Sequence, residues 1–144
     1  MISPEAAETK IGEAKYEPMQ HRLRIEAPGG PQTARFLNVL QGADAGTAPT
    51  PVTLIQSFGE TAFAGALVGK TVVLFPVDIG MTPAGVSYTV PASTTTHLIT
   101  GLTPNGGYDV TLQKSGNDTQ VTVKSGNTYK GDAGGVLVVR PVGP

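Results

Sequence analysis

The chain has no cysteine and no tryptophan. The first absence removes disulfides, thiolate metal sites and cysteine nucleophiles together. It leaves the cellular compartment open, because a chain of this length buries about 68–70% of its unfolded surface and stands without a bridge. The second absence leaves any sugar-stacking surface to tyrosine alone. Charge is also scarce. Asp, Glu, Lys and Arg make up 15% of the residues, against a usual share of about 25%. Ten basic residues stand against eleven acidic ones, for a net charge of −1, which argues against nucleic acid as a partner. No apolar run approaches the roughly 18 residues of a membrane span. The start, Met1-Ile2-Ser3-Pro4-Glu5, has neither a basic nor an apolar signal region. There is no Gly-x-Ser-x-Gly elbow and no phosphate loop. The two histidines, His21 and His97, have no neighbouring histidine at metal spacing, so no zinc site and no cofactor are expected. Each reads as a structural residue at a strand edge rather than a ligand or a base. No catalytic residue is assigned, and the isolated chain reads as a non-enzyme.

Glycine and proline are abundant, with 19 and 12 copies in 144 residues, and they punctuate short alternating segments. Arg22-Leu23-Arg24-Ile25-Glu26 alternates strictly, as do Val86-Ser87-Tyr88-Thr89-Val90 and Tyr108 to Gln113. Turns fall at 28–31, 69–70, 104–107, 114–117 and 124–127. The result is nine or ten short strands without any long 3.6-residue period for a crossover helix. The expected fold is an all-β, antiparallel β-sandwich, immunoglobulin-like or jelly-roll-like. Ser3 as a helix cap and Pro4 after it suit one short helix ending at Gly12, with an extended lead-in as the equal alternative. Residues 1–20 are therefore read as a lead-in and 21–144 as one β-sandwich domain.

Three predicted strands, 35–40, 71–75 and 136–139, carry apolar residues on both faces. Such a strand needs cover on both sides. It either lies centrally under a long loop or meets another domain or a second copy. The candidate partner residues are Phe36, Leu40, Val73, Phe75, Leu137 and Val139. Tyr16 and Tyr129, with Arg22 and Arg24 pointing the same way from one strand, are the candidates for an acidic glycan. A solvated outer face is the competing reading of those arginines. Gly131-Asp132-Ala133-Gly134-Gly135 reads as a flexible corner, with an anion nest as the alternative.

The ordered set His97-Leu98-Ile99-Thr100-Gly101-Leu102, Gly107-Tyr108-Asp109-Val110 and Asp132-Ala133-Gly134-Gly135-Val136-Leu137 resembles the C-terminal β-sandwich of heparinase II/III-like polysaccharide lyases. Thr9-Lys10-Ile11-Gly12, Arg22 to Glu26, Phe36-Leu37-Asn38-Val39-Leu40-Gln41 and Val68 to Phe75 extend the resemblance over nearly the whole chain. The resemblance implies an extracellular or periplasmic bacterial protein acting on acidic polysaccharides by β-elimination. It also implies an upstream α/α-toroid that carries most of the catalytic residues. What transfers to this chain is the fold and a supporting role, with a missing catalytic domain as partner. A self-assembling structural module and a carbohydrate-binding module are the alternatives.

Overall fold

The computed structural model describes residues 2–6, 21–59 and 62–141. The chain divides into two units, Met1–Leu37 and Asn38–Pro144. In the first, β1 (Ile2–Ala6) and β2 (His21–Ile25) form an antiparallel ribbon, with Ile2 opposite Ile25 and Ala6 opposite His21. Residues 3–6 are thus extended, and the rest of the expected helix and the loop to residue 20 lie outside the described residues. The expected domain boundary after residue 20 falls between these two strands.

The second unit holds β3 (Val52–Phe58), β4 (Phe63–Val68), β5 (Thr71–Pro76), β6 (Gly85–Pro91), β7 (Thr96–Ile99), β8 (Gly107–Ser115), β9 (Asp118–Ser125), β10 (Tyr129–Lys130) and β11 (Leu137–Val139). They form one nine-stranded sheet in the order β10-β8-β9-β6-β3-β4-β5-β7-β11. The described chain is all-β and has no helix, and this sheet curls nearly into a barrel. Its two end strands, β10 and β11, are joined by the short loop 131–136. β3 links the two halves. Its first five residues pair with β4, and Ser57 and Phe58 pair with β6.

Two expectations need correction. The sheet is mixed, because β5 and β7 run parallel, with Thr71 opposite Thr96 and Leu74 opposite Ile99. The cause is the route of the chain. β6 crosses to the other half of the sheet, so β7 returns beside β5 in the same direction. Residues 35–40 form no strand, and Phe36 and Leu40 are exposed. An isolated apolar run has the composition of a strand but needs a neighbouring backbone to bond with, and none of the described strands pairs with it.

The core lies on the concave side of the sheet. Phe63, Val72, Leu74, Tyr88, Val90, Ile99, Val121, Val123, Leu137 and Val139 are buried there. All come from the inward positions of their strands, as period-two alternation requires.

Tyr108 opens β8 by bracing the turn before it. Its hydroxyl oxygen accepts the N–H of Thr103 at 2.9 Å. Thr103 C=O accepts the N–H of Gly106 at 2.9 Å, and Asn105 between them takes φ 57°, a left-handed conformation that asparagine tolerates. This arrangement, a tyrosine at the head of a strand bonded a few residues upstream, is a tyrosine corner. Tyr108→Phe leaves a part-buried N–H unpaired. We expect a loss of about 1–3 kcal/mol, read as a lower denaturant midpoint at unchanged slope. An unchanged midpoint would show that water replaces the hydroxyl.

Candidate functional site

The two halves of the nine-stranded sheet differ on their outer faces. In the half built from β6, β9 and β8, register brings together Ser87, Thr122 and Thr111, then Thr89, Gln120 and Gln113, and Gly85 beside Lys124 and Asp109. These rows are polar and solvated. In the half built from β3, β4, β5, β7 and β11, one row runs Leu54, Ala66, Val73, Leu98, Val138 across five strands. At a strand spacing of about 4.8 Å it spans roughly 19 Å. The flanking rows are Gln56, Ala64 and Phe75 on one side, and Val52, Val68, Thr71 and Thr96 on the other. None of these side chains is charged. Leu54 is 62% exposed, Phe75 44% and Val138 42%. Ordinary outward positions in an antiparallel sheet are polar, so this face stands out among the described residues.

Register explains which of the expected partner residues belong to it. Val73 and Phe75 lie on the face, Val73 half-buried and Phe75 exposed. Leu137 and Val139 do not. They point inward at 0% exposure and are core residues. Val138 between them carries the contribution of β11 to the face. The strand is apolar on both sides as its sequence says, but the side that meets the rest of the core is the one with two residues. Leu54 was not singled out by sequence, although its position two residues before Gln56 on an alternating strand is the signal that finds it. Phe36 and Leu40 are exposed on irregular chain.

The expected glycan residues fall in both units, and each is described within its own. Tyr16 lies outside the described residues, as do the side chains of Arg22 and His21. Arg24 pairs with Glu26 on the same exposed strand edge. Tyr129 is half-buried, stands opposite Tyr108 and packs against the core.

His97 is buried at 1% exposure and its Nδ1 lies 2.9 Å from the Tyr88 hydroxyl. Burial pushes the Tyr88 phenol well above its ordinary value and pulls the His97 imidazole below its own. A neutral imidazole and a protonated phenol satisfy each other through this hydrogen bond. The pair holds β6 to β7 across the core.

Asp109 on β8 and Asp132 in the loop after β10 both bind backbone N–H groups. Asp109 Oδ1 accepts from the N–H groups of Asn127 and Thr128, both at 3.0 Å, and from the Thr128 hydroxyl at 2.6 Å. The Thr128 hydroxyl, followed by the two amides, holds its carboxyl below the usual range. Asp132 Oδ1 accepts from the N–H groups of Gly134 and Val136, both at 2.8 Å. The glycine-rich corner at 131–135 is therefore closed on its own carboxylate, which occupies the amides an anion nest would use. Among the described residues no group of three His, Cys, Asp or Glu side chains is placed to hold a metal ion.

No family model matches the chain, and no curated protein or solved structure matches it either.

Proposed function

We propose that the chain is a non-catalytic accessory module of a larger extracellular protein. Its outer β3–β4–β5–β7–β11 face packs against a neighbouring domain of that protein. The observation that carries this reading is the uncharged apolar row Leu54, Ala66, Val73, Leu98, Val138, with Phe75 beside it. Within the row Leu54 and Val138 are exposed, Val73 and Leu98 half-buried and Ala66 buried, and exposed apolar side chains gathered on one face are characteristic of interaction sites. The finer fold is a two-layer, immunoglobulin-like sandwich. The tyrosine corner at Tyr108 and the division of β3 between two sheet halves support it. The sequence resemblance to the C-terminal region of heparinase II/III-like lyases supports the kind of parent protein, one acting on acidic polysaccharides, and the extracellular or periplasmic setting.

Two measurements test the reading. The purified chain should give no ultraviolet-absorbing unsaturated product from heparin, heparan or alginate, and steady product formation would overturn the non-catalytic assignment. The isolated chain should enhance the fluorescence of an apolar dye. A Leu54→Asp, Val138→Asp double variant should lose most of that signal while its melting temperature changes by no more than about 4 °C, the shift given by roughly 1 kcal/mol or less. A wild-type chain that binds no dye, or a variant that unfolds, would make the face structural instead. Concentration-dependent dimerisation abolished by the same variant would replace the neighbouring domain with a second copy of this chain.

A further inference from the structure

At one end of the nine-stranded sheet, the turn carrying Lys70, the turn after β6, the tip of β8 and the start of β9 surround a pocket of about 410 Å³. Its polar lining includes Lys70, Lys114, Ser93, Thr94, Thr119 and His97, and no carboxylate lines it. This pocket lies on the inward side of the sheet and uses none of the residues of the apolar outer face.

Three observations point to what fills it. The first is charge. Lys70 and Lys114 have no carboxylate partner among the described residues. Lys114 shares the inward alternation of Tyr108, Val110 and Leu112 and stands opposite Thr119, so its strand register aims it at the pocket rather than at the solvated outer rows. Two cations gathered in one concave site, where the low-dielectric walls focus their field, favour an anion.

The second is an unsatisfied hydroxyl. Thr94 is 8% exposed, and its Oγ1 has no hydrogen-bond partner. A buried polar atom without a partner is uncommon and costs free energy. Thr94 lines the pocket, and a rotation about its χ1 would turn the hydroxyl from its enclosed position toward a partner there. The third is pre-organisation. Thr94 N–H donates to Pro91 C=O at 2.9 Å, and the N–H groups of Thr95 and Thr96 donate to Lys70 C=O at 2.9 and 3.2 Å. These bonds tie the backbone of the lysine turn to the hydroxyl-bearing loop, so the two segments that carry Lys70 and Thr94 keep their places without a ligand. His97, bonded through Nδ1 to the Tyr88 hydroxyl, also lines the pocket.

We propose that this pocket binds a small oxyanion, held by Lys70 and Lys114 and by the hydroxyl of Thr94. The volume accommodates the anion alone or as the acidic group of a sugar-sized molecule, at the lower end of the range for small-molecule sites. The site stands whether or not the outer face packs against another domain.

The test is calorimetric titration of the full chain with inorganic sulfate, inorganic phosphate and glucuronate at constant ionic strength, with glucose as the neutral control. Binding of at least one anion with a Kd below about 10 mM, and none of glucose, is the expected result. Sulfate or phosphate binding alone identifies a tetrahedral oxyanion, and glucuronate binding alone identifies a carboxylate. Lys70→Gln and Lys114→Gln should each weaken binding about tenfold, the loss of one charge-assisted bond. Thr94→Val should weaken binding yet leave the melting temperature of the free chain unchanged or higher, because the hydroxyl has no partner to lose. The proposal is overturned if no anion binds, if glucose binds equally, or if the lysine variants keep wild-type affinity. It is also overturned if Thr94→Val lowers the melting temperature of the free chain.

Discussion

Gly65→Ala is expected to cost the protein its fold. Gly65 stands opposite Leu74 in the β4–β5 pair, in the middle of the sheet. A Cβ at this position would lie 1.8 Å from the carbonyl oxygen of Val73 and 2.8 Å from Leu74 Cδ2. The first of these atoms is backbone, so no rotamer change relieves the overlap. The two strands would have to separate, which breaks ladder bonds and opens the core around Phe63 and Leu74. Overpacking that side chains can absorb costs about 1–3 kcal/mol. An overlap against backbone exceeds that range, and the whole stability of a domain is about 5–15 kcal/mol. We expect insoluble expression, or a chain without a cooperative thermal transition. Gly42→Ala is the control, because a Cβ there meets nothing within 4 Å and should change stability by no more than about 0.5 kcal/mol. A Gly65→Ala chain that melts like wild type would mean that β4 and β5 are not packed as described.

The second large effect is at the buried Tyr88–His97 pair. Tyr88 is at 0% exposure, so Tyr88→Ala removes a full aromatic side chain from the core and costs about 3–5 kcal/mol. Tyr88→Phe keeps the packing but leaves His97 Nδ1 without its hydrogen-bond partner, which costs about 1–3 kcal/mol. The pair also sets an acid limit. Burial lowers the folded-state pKa of His97 below its ordinary value of 6.5. In that window the unfolded chain binds a proton that the folded chain refuses. Stability from the neutral imidazole is therefore fully present above about pH 6.5 and is lost as the pH falls from there towards the folded-state pKa, by about 1.4 kcal/mol for each unit of depression. Denaturant unfolding between pH 8 and pH 5 should show this decline. His97→Gln, which cannot titrate, should flatten it at the cost of a lower plateau. A decline that persists unchanged in His97→Gln would assign the acid sensitivity to other groups.

Alternation made much of the second unit legible. Val86, Tyr88 and Val90, or Val121 and Val123, alternate with polar partners, and each lies where its period places it. The turn residues were equally informative, because the turns expected at 69–70 and 114–117 fall between strands that are neighbours in the sheet, the second centred on Gly116 and Asn117. The apolar run at 35–40 misled for a physical reason. Composition records a preference for extended chain, while a strand also needs a partner that composition does not name. The same gap explains the parallel β5–β7 pair. Nothing within Thr71 to Phe75 or Thr96 to Ile99 records that an intervening strand joins the other half of the sheet.

The sequence by itself determined an all-β chain, the places of most strands and turns, and the existence of segments apolar on both faces. These are local properties, set by period, turn chemistry and the sign of each side chain's hydropathy. Only the tertiary structure decided what those segments face. It turned Leu137 and Val139 into the core and Val138 outward, and it aligned Leu54, Val73 and Leu98 into one row. It closed the 131–135 corner on Asp132, and it gathered Lys70, Thr94 and Lys114 around one pocket. Apart from the local Asp132 corner, each depends on the register between strands distant in sequence. A shift of one residue reverses the face of every side chain in a strand, so the surface that carries function is fixed only when the whole sheet is.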